Sequence, residues 1–200
     1  WSLSTKSSKI FFVGFIFLLP LLIFVSIVVW LEDGLPAMFV QERLGLNKKK
    51  FYHYKIRTMF KSTPNLGTHE IDSFHHLKSG SVLRKLKIDE LPQLINYIKG
   101  DINLIGPRPG LPNQKRLSKY REKYNIYDFK PGITGLAQVL SYDMSNPKLL
   151  AMIDNLYIEN KNTKLDITIF FATFFNIFKK KLNRRFAQNI EEFKENIRHV

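Results

Sequence analysis

The 200-residue chain has no cysteine. A disulfide framework, thiolate chemistry and a Cys-based zinc site are therefore excluded. Acidic residues are scarce beside basic ones: 17 Asp and Glu stand against 31 Lys and Arg, a formal net charge of +14. That excess calls for an anionic partner, whether nucleic acid, anionic lipid or a phosphorylated substrate. The sequence contains no helix-turn-helix, zinc-finger or RRM signature, so nucleic acid is not an expected partner. It also lacks an internal repeat and a Walker-type glycine loop. It begins with Trp1 rather than Met, which leaves a longer parent chain open.

What the sequence has, at its start, is a long uncharged run. Residues Ile10 to Leu31 are apolar except for Gly14, Pro20 and Ser26. Such a run is long enough to cross about 30 Å of hydrocarbon as a helix. Lys6 and Lys9 precede it, Glu32 and Asp33 end it, and Trp30 sits where an interfacial anchor belongs. The run is too long for a signal peptide and no small-residue cleavage site follows it. Pro20, at its middle, frees a carbonyl and kinks a helix. A kinked segment can cross the membrane or return to the same face. Basic residues flank both ends, so charge does not decide between the two.

Beyond the anchor, Leu35–Val40 and Phe51–Ile56 are expected as strands of a β-hairpin around a basic turn, 41–50. Residues 61–80, broken by Pro64, Gly67 and Gly80, are expected as a loop. It carries His69, His75 and His76, which are read as solvated rather than metal-binding. Leu91, Leu94, Ile95 and Ile98 follow helical spacing up to Gly100. Pro107 and Pro109 fix a tight loop around Arg108. A basic helix is expected from Pro112 to 125, and a turn at Pro131–Gly132 leads into a short apolar strand. Asn146 and Pro147 form a helix start. Ile167, Phe170, Phe171, Phe174 and Phe178 share an aromatic face suited to a core or to the lipid headgroup region. Residues 182–200 are expected as a charged, peripheral tail.

Chemistry concentrates at Leu83–Leu94, LRKLKIDELPQL. Asp89 and Glu90 are adjacent carboxylates at an expected helix start, preceded by Arg84, Lys85 and Lys87. An isolated pair of this kind is most often a helix-start acid pair and nothing more. Here it keeps company with a membrane anchor, the Pro-Arg-Pro loop and the cations at the end of the second strand. Phosphoryl transfer needs such a set. A carboxylate nucleophile approaching a diphosphate requires charge neutralisation by Arg, Lys or a divalent ion. Mg²⁺ prefers oxygen ligands and keeps several waters, so one or two carboxylates suffice. Arg57, Arg84 and Arg108 can hold phosphate oxygens in a bidentate fork.

Five ordered blocks, FVQERLG (39–45), FYHYKIRTM (51–59), LRKLKIDELPQLINYIKGD (83–101), LIGPRPG (104–110) and KPGITGLAQV (130–139), resemble the monotopic phosphoglycosyl transferases, or bacterial sugar transferases. The resemblance implies an α+β protein. A re-entrant, helix-break-helix membrane segment (1–33, break near Pro20) precedes a mainly helical, interface-associated catalytic domain (34–181) with a small β-hairpin, and the charged tail (182–200) follows. It implies a UDP-sugar donor, a polyprenyl (undecaprenyl) phosphate acceptor and release of UMP through a covalent phosphosugar-Asp89 intermediate. It further implies that Glu90 joins Asp89 at a Mg²⁺ site and that Lys55, Arg57, Arg84, Arg108 and Lys130 contact substrate. The product would begin a bacterial surface polysaccharide, lipopolysaccharide, capsule or glycoprotein glycan at the inner membrane, with the catalytic domain cytoplasmic and seated on anionic lipids. A homodimer is left open. The sequence departs from the family's usual residues at Val13, Lys87–Ile88, Lys130 and Leu140–Ser141, none of them in the D-E pair. Two other readings stay open: a membrane-tethered basic module without catalysis, and a membrane-bound nucleotide-sugar hydrolase.

Overall fold

The structure, a computed structural model, describes residues 2–63 and 75–198, and only the backbone of residues 2–15. His69 lies outside the described residues. The chain divides into two compact units: Trp1–Glu42 with Tyr52–Asp101, and Arg43–Phe51 with Ile102–Val200.

In the first unit, helix α1 runs from Ser2 to Asp33. The helix continues through Pro20, and the expected helix-break-helix pair is not resolved as two helices. Its stretch Ile16–Asp33 is long and apolar enough to cross a membrane. Only one stripe is packed: Leu22, Val25 and Val29 meet Ala37, Ile56, Leu77 and Leu83 in a small core. Phe17 is 81% exposed and Leu31 75%, with Ile23, Phe24, Ile27 and Trp30 also exposed. Burying a large apolar side chain contributes about 1.5–3 kcal/mol. The six left in water forgo more burial than the three packed ones, Leu22, Val25 and Val29, gain. A helix apolar all round and largely uncovered belongs in lipid, which supports membrane association.

Strand β1 (Met38–Leu44) pairs with β2 (Lys50–Ile56) in a two-stranded sheet. The first strand starts and ends later than its apolar residues suggest, because Gln41 and Arg43 are buried within it. The turn is correspondingly short. Asn47 and Lys48 take positive φ values of 51° and 59° there, a region Asn tolerates better than most residues. The first unit continues with α2 (Lys78–Lys85), a 3-10 turn at Ile88–Glu90 and α3 (Gln93–Lys99). Gly100 ends α3 in the left-handed conformation (φ 81°). The start of α2 occupies the end of the expected loop.

In the second unit, β3 (Asn103–Ile105) and β4 (Gly132–Thr134) pair in parallel, with Asn103 opposite Gly132 and Ile105 opposite Thr134. A side chain on Gly132 would come within 2.1 Å of the Gly106 nitrogen. Both positions therefore need glycine for the backbones to pass. Helices α4 (Lys115–Lys123), α5 (Leu136–Val139), α6 (Pro147–Glu159), α7 (Thr163–Ala172) and α8 (Asn176–Arg198) complete the unit. The segment after Pro131–Gly132, expected as strand throughout, turns helical at Leu136. Asn146 caps α6 by accepting from Leu149 N at 3.1 Å, ahead of Pro147 in the first turn. The aromatic face is split between α7 and α8, and Phe170, Phe171 and Phe174 remain partly exposed. Residues 182–198, expected as a charged, peripheral tail, are helical. Leu182, Phe186 and Ile190 recur every four residues and enter the core beside Leu165, Ile169 and Ile153.

Candidate active site

Three elements of the first unit bring four of the predicted residues together. Lys87 adopts φ 60°, a left-handed conformation that costs a residue with a Cβ roughly 1–2 kcal/mol. It turns the chain into the 3-10 segment that carries Asp89 and Glu90. Ile88 and Leu91 on either side pack against the small core. The carboxyl pair is thereby fixed between two apolar anchors. Asn96, fully buried on α3, ties this helix to β2: it accepts from Tyr54 N at 3.2 Å and donates to Tyr52 O at 2.6 Å. The same strand presents Lys55, whose Nζ lies 3.6 Å from Glu90 Oε1, with both side chains largely buried.

Asp89 is 6% exposed, and its Oδ1 has no hydrogen-bond partner among the described residues. Burial, first, and the neighbouring Glu90 charge raise its pKa above the ordinary 3.8; Lys55, Arg84 and Lys87 act in the opposite direction. A buried carboxylate oxygen left unsatisfied is costly, and such groups are concentrated at functional sites.

Arg84, in the last turn of α2, is held by two neighbours. Its Nε donates to Thr58 Oγ1 at 2.8 Å, and Nη1 lies 2.9 Å from His76 Nε2. Burial, and then the Arg84 charge, lower the His76 pKa. The neutral ring accepts from the guanidinium at Nε2, so half-buried His76 is a partner of Arg84 rather than simply a solvated loop residue. Arg57 is directed elsewhere: Nη2 donates to Gly34 O at 2.6 Å and to Asp33 O at 3.2 Å, and Nη1 lies 3.4 Å from Asp33 Oδ2. It caps the carbonyl end of α1.

Arg108 and Lys130 stand in the second unit. The Arg108 loop follows β3 and is pinned on several sides. Gly132 N donates to Pro107 O, Leu44 N to Gly110 O, and Arg43 Nη1 to Pro109 O at 3.0 Å. Burial and the nearby guanidinium groups of Arg108 and Arg121 push Arg43 down to about 9, so it stays charged at neutral pH. Arg121 is neutralised by Asp154, with Nη2 to Oδ2 at 2.6 Å and both side chains 2% exposed. Lys130 is half-buried just before β4.

Among the described residues, no group of three or more His, Asp or Glu gathers to hold a metal. Mg²⁺ does not require one, because one or two carboxylates with substrate phosphates and water complete its shell. The unpartnered Asp89 oxygen beside Glu90 is a fitting hard-oxygen donor set.

Residue-level reading missed Gln93. It is 1% exposed, four residues after Asp89, and its Nε2 has no partner among the described residues. Its signal was a glutamine within the otherwise apolar run Leu91–Ile95. An apolar groove of about 490 Å³ also runs along α1, lined by Leu22, Ile23, Ile27, Trp30, Pro92 and Ile95 among others.

These carboxylates and cations, on a unit that carries an exposed apolar helix, belong to a known class. The chain matches the bacterial sugar transferase family over residues 7–180 and is a member of it: a phosphoglycosyl transferase. It is 40% identical over 154 residues to an uncharacterised sugar transferase, EpsL, of Bacillus subtilis, covering 76% of this chain and 75% of that one. It is 34% identical to a UDP-N-acetylgalactosamine-undecaprenyl-phosphate N-acetylgalactosaminephosphotransferase of Aeromonas hydrophila, over 77% of this chain and 38% of that one. To a UDP-glucose:undecaprenyl-phosphate glucose-1-phosphate transferase of Caulobacter vibrioides it is 33% identical, over 77% and 61%. The chain thus spans three quarters of EpsL but only about two fifths to three fifths of these two named transferases.

Proposed function

We propose that this protein transfers a phosphosugar from a UDP-sugar to a polyprenyl phosphate, as the names of its Aeromonas and Caulobacter relatives describe for those enzymes. The observation that carries the mechanism is the buried Asp89 carboxylate with its unpartnered oxygen, flanked by Glu90, Lys55 and Arg84. An Asp89 oxygen forms a bond to the β-phosphorus of the donor. The bond from that phosphorus to the bridging oxygen breaks, and UMP leaves with the electron pair. An oxygen of the polyprenyl phosphate then attacks the same phosphorus. The Asp89–phosphorus bond breaks, the carboxylate is restored, and a polyprenyl diphosphate-sugar is released.

Lys55 and Arg84 offset the charge that otherwise repels an anionic nucleophile from a diphosphate. Arg108 and Lys130 contribute further cations for donor phosphates. Arg57 supports the site through the end of α1. When bound, Mg²⁺ at Asp89 and Glu90 supplies further charge neutralisation for the phosphate oxygens. The apolar groove beside α1 suits the lipid chain of the acceptor. We further read α1 as re-entrant about Pro20, which leaves residues 34–181 as a catalytic domain on the cytoplasmic face of the inner membrane.

The test is UMP release from a panel of UDP-sugars, with and without undecaprenyl phosphate and Mg²⁺, by wild type and Asp89→Asn. Acceptor-dependent release that disappears in the variant is expected. Release that is equally fast without acceptor would point to a hydrolase. No release from any donor by folded, membrane-inserted protein would refute the transferase reading.

A further inference from the structure

We infer that Glu32, in the last turn of α1, is a positioning residue that sets Arg84 by capping α2. The inference rests on the role proposed for Arg84. Helix α2 has no cap of its own, since Leu77 precedes it and offers no side-chain acceptor. Its first amides are instead taken by the Glu32 carboxylate. Lys78 N donates to Oε1 and Ser79 N to Oε2 at 3.1 Å, while Ser79 Oγ donates to Oε2 at 2.5 Å. A carboxylate at a helix start satisfies free N–H groups and complements the helix dipole.

The rest of α2 is seated just as closely. Leu77 N donates to Thr58 O at 3.1 Å, and a side chain on Gly80 would come within 2.2 Å of that oxygen. At the far end, Arg84 is gripped by Thr58 and His76. A short helix held at its start, middle and end transmits a shift at one end to the other. The end of α1 is itself fixed: Arg57 caps its carbonyls, and Lys61 N donates to Asp33 Oδ2 at 2.9 Å. The anchor helix therefore delivers an acid to α2 and a rigid mount for that acid. Glu32 acts on the substrate only through Arg84.

A double-mutant cycle on the full chain in nanodiscs tests this, with Glu32→Ala, Arg84→Ala and the double variant, plus Glu32→Gln. Donor KM and kcat are read from UMP release, and amide exchange is followed along α2. Glu32→Ala is expected to raise donor KM by about fivefold, the effect of losing one cap, with kcat little changed. In the Arg84→Ala background it should change KM by less than about twofold, because coupled residues are not additive. Glu32→Gln, which keeps a side-chain acceptor, should fall between wild type and Ala. Equal factors in both backgrounds would overturn the inference. If Arg84→Ala behaves as wild type in an active enzyme, the role of Arg84 fails and the inference with it. The exchange arm decides independently of turnover. Faster exchange confined to Lys78–Arg84 supports the cap, and unchanged exchange there refutes it even if no donor is consumed.

Discussion

Asp89 keeps one carboxylate oxygen that no group among the described residues satisfies, in a place where burial already opposes ionisation. Its folded-state pKa lies above the value in the unfolded chain. Between those two values the folded protein holds a proton that the unfolded chain has released. Stability therefore falls as pH rises through that window and stays reduced above it. Asn at this position does not titrate and needs no charge solvated. Asp89→Asn is accordingly expected to abolish transfer yet unfold later at neutral pH, by about 1 kcal/mol or roughly 2–4 °C. Thermal unfolding at a series of pH values checks it: the advantage of the variant should shrink on acidification. Wild-type turnover, which needs the carboxylate, should decline at a pH above the usual carboxylate range. A destabilised Asn variant would contradict this account of the residue.

At the scale of elements, α8 is the clearest consequence of a stripe hidden among charges. Phe186, 2% exposed, sits at the centre of Leu182, Phe186 and Ile190. Phe186→Ala should cost about 3–5 kcal/mol of stability, measurable by denaturant unfolding, whereas a peripheral tail would lose almost nothing. The sequence made some elements plain because their signals are local. Asn146–Pro147 opens α6, Gly100 closes α3, and the aromatic run Phe51–Ile56 pairs as a strand. Others depend on distant partners. Gln41 and Arg43 look like turn residues until strand pairing buries them. Helix α2 has a thin apolar face and a cap 46 residues away, so nothing nearby announces it. The site divides in the same way. Asp89 and Glu90 stand out beside each other in the chain. That Thr58 and His76 hold Arg84, and that Arg57 caps α1, depends on folding.

Across the whole molecule, an exposed apolar helix is combined with a formal net charge of +14. Both favour a membrane carrying negative headgroups. Turnover in vesicles of neutral lipid is expected to rise several-fold as an anionic lipid is added, and to lose that gain in high salt, where charges farther apart than about 3 Å are screened at 1 M. Assays over a lipid and salt series would show it, and a flat response would assign the positive charge to substrate alone. The joint at Glu32 has a consequence for how the protein is made. The ribosome releases the acid 46 residues before the amide it will bond. The anchor can therefore be inserted, with its acid waiting, when α2 emerges. A rearranged gene that moved this anchor to the end of the chain would reverse that order, leaving the first turn of α2 uncapped until synthesis was complete.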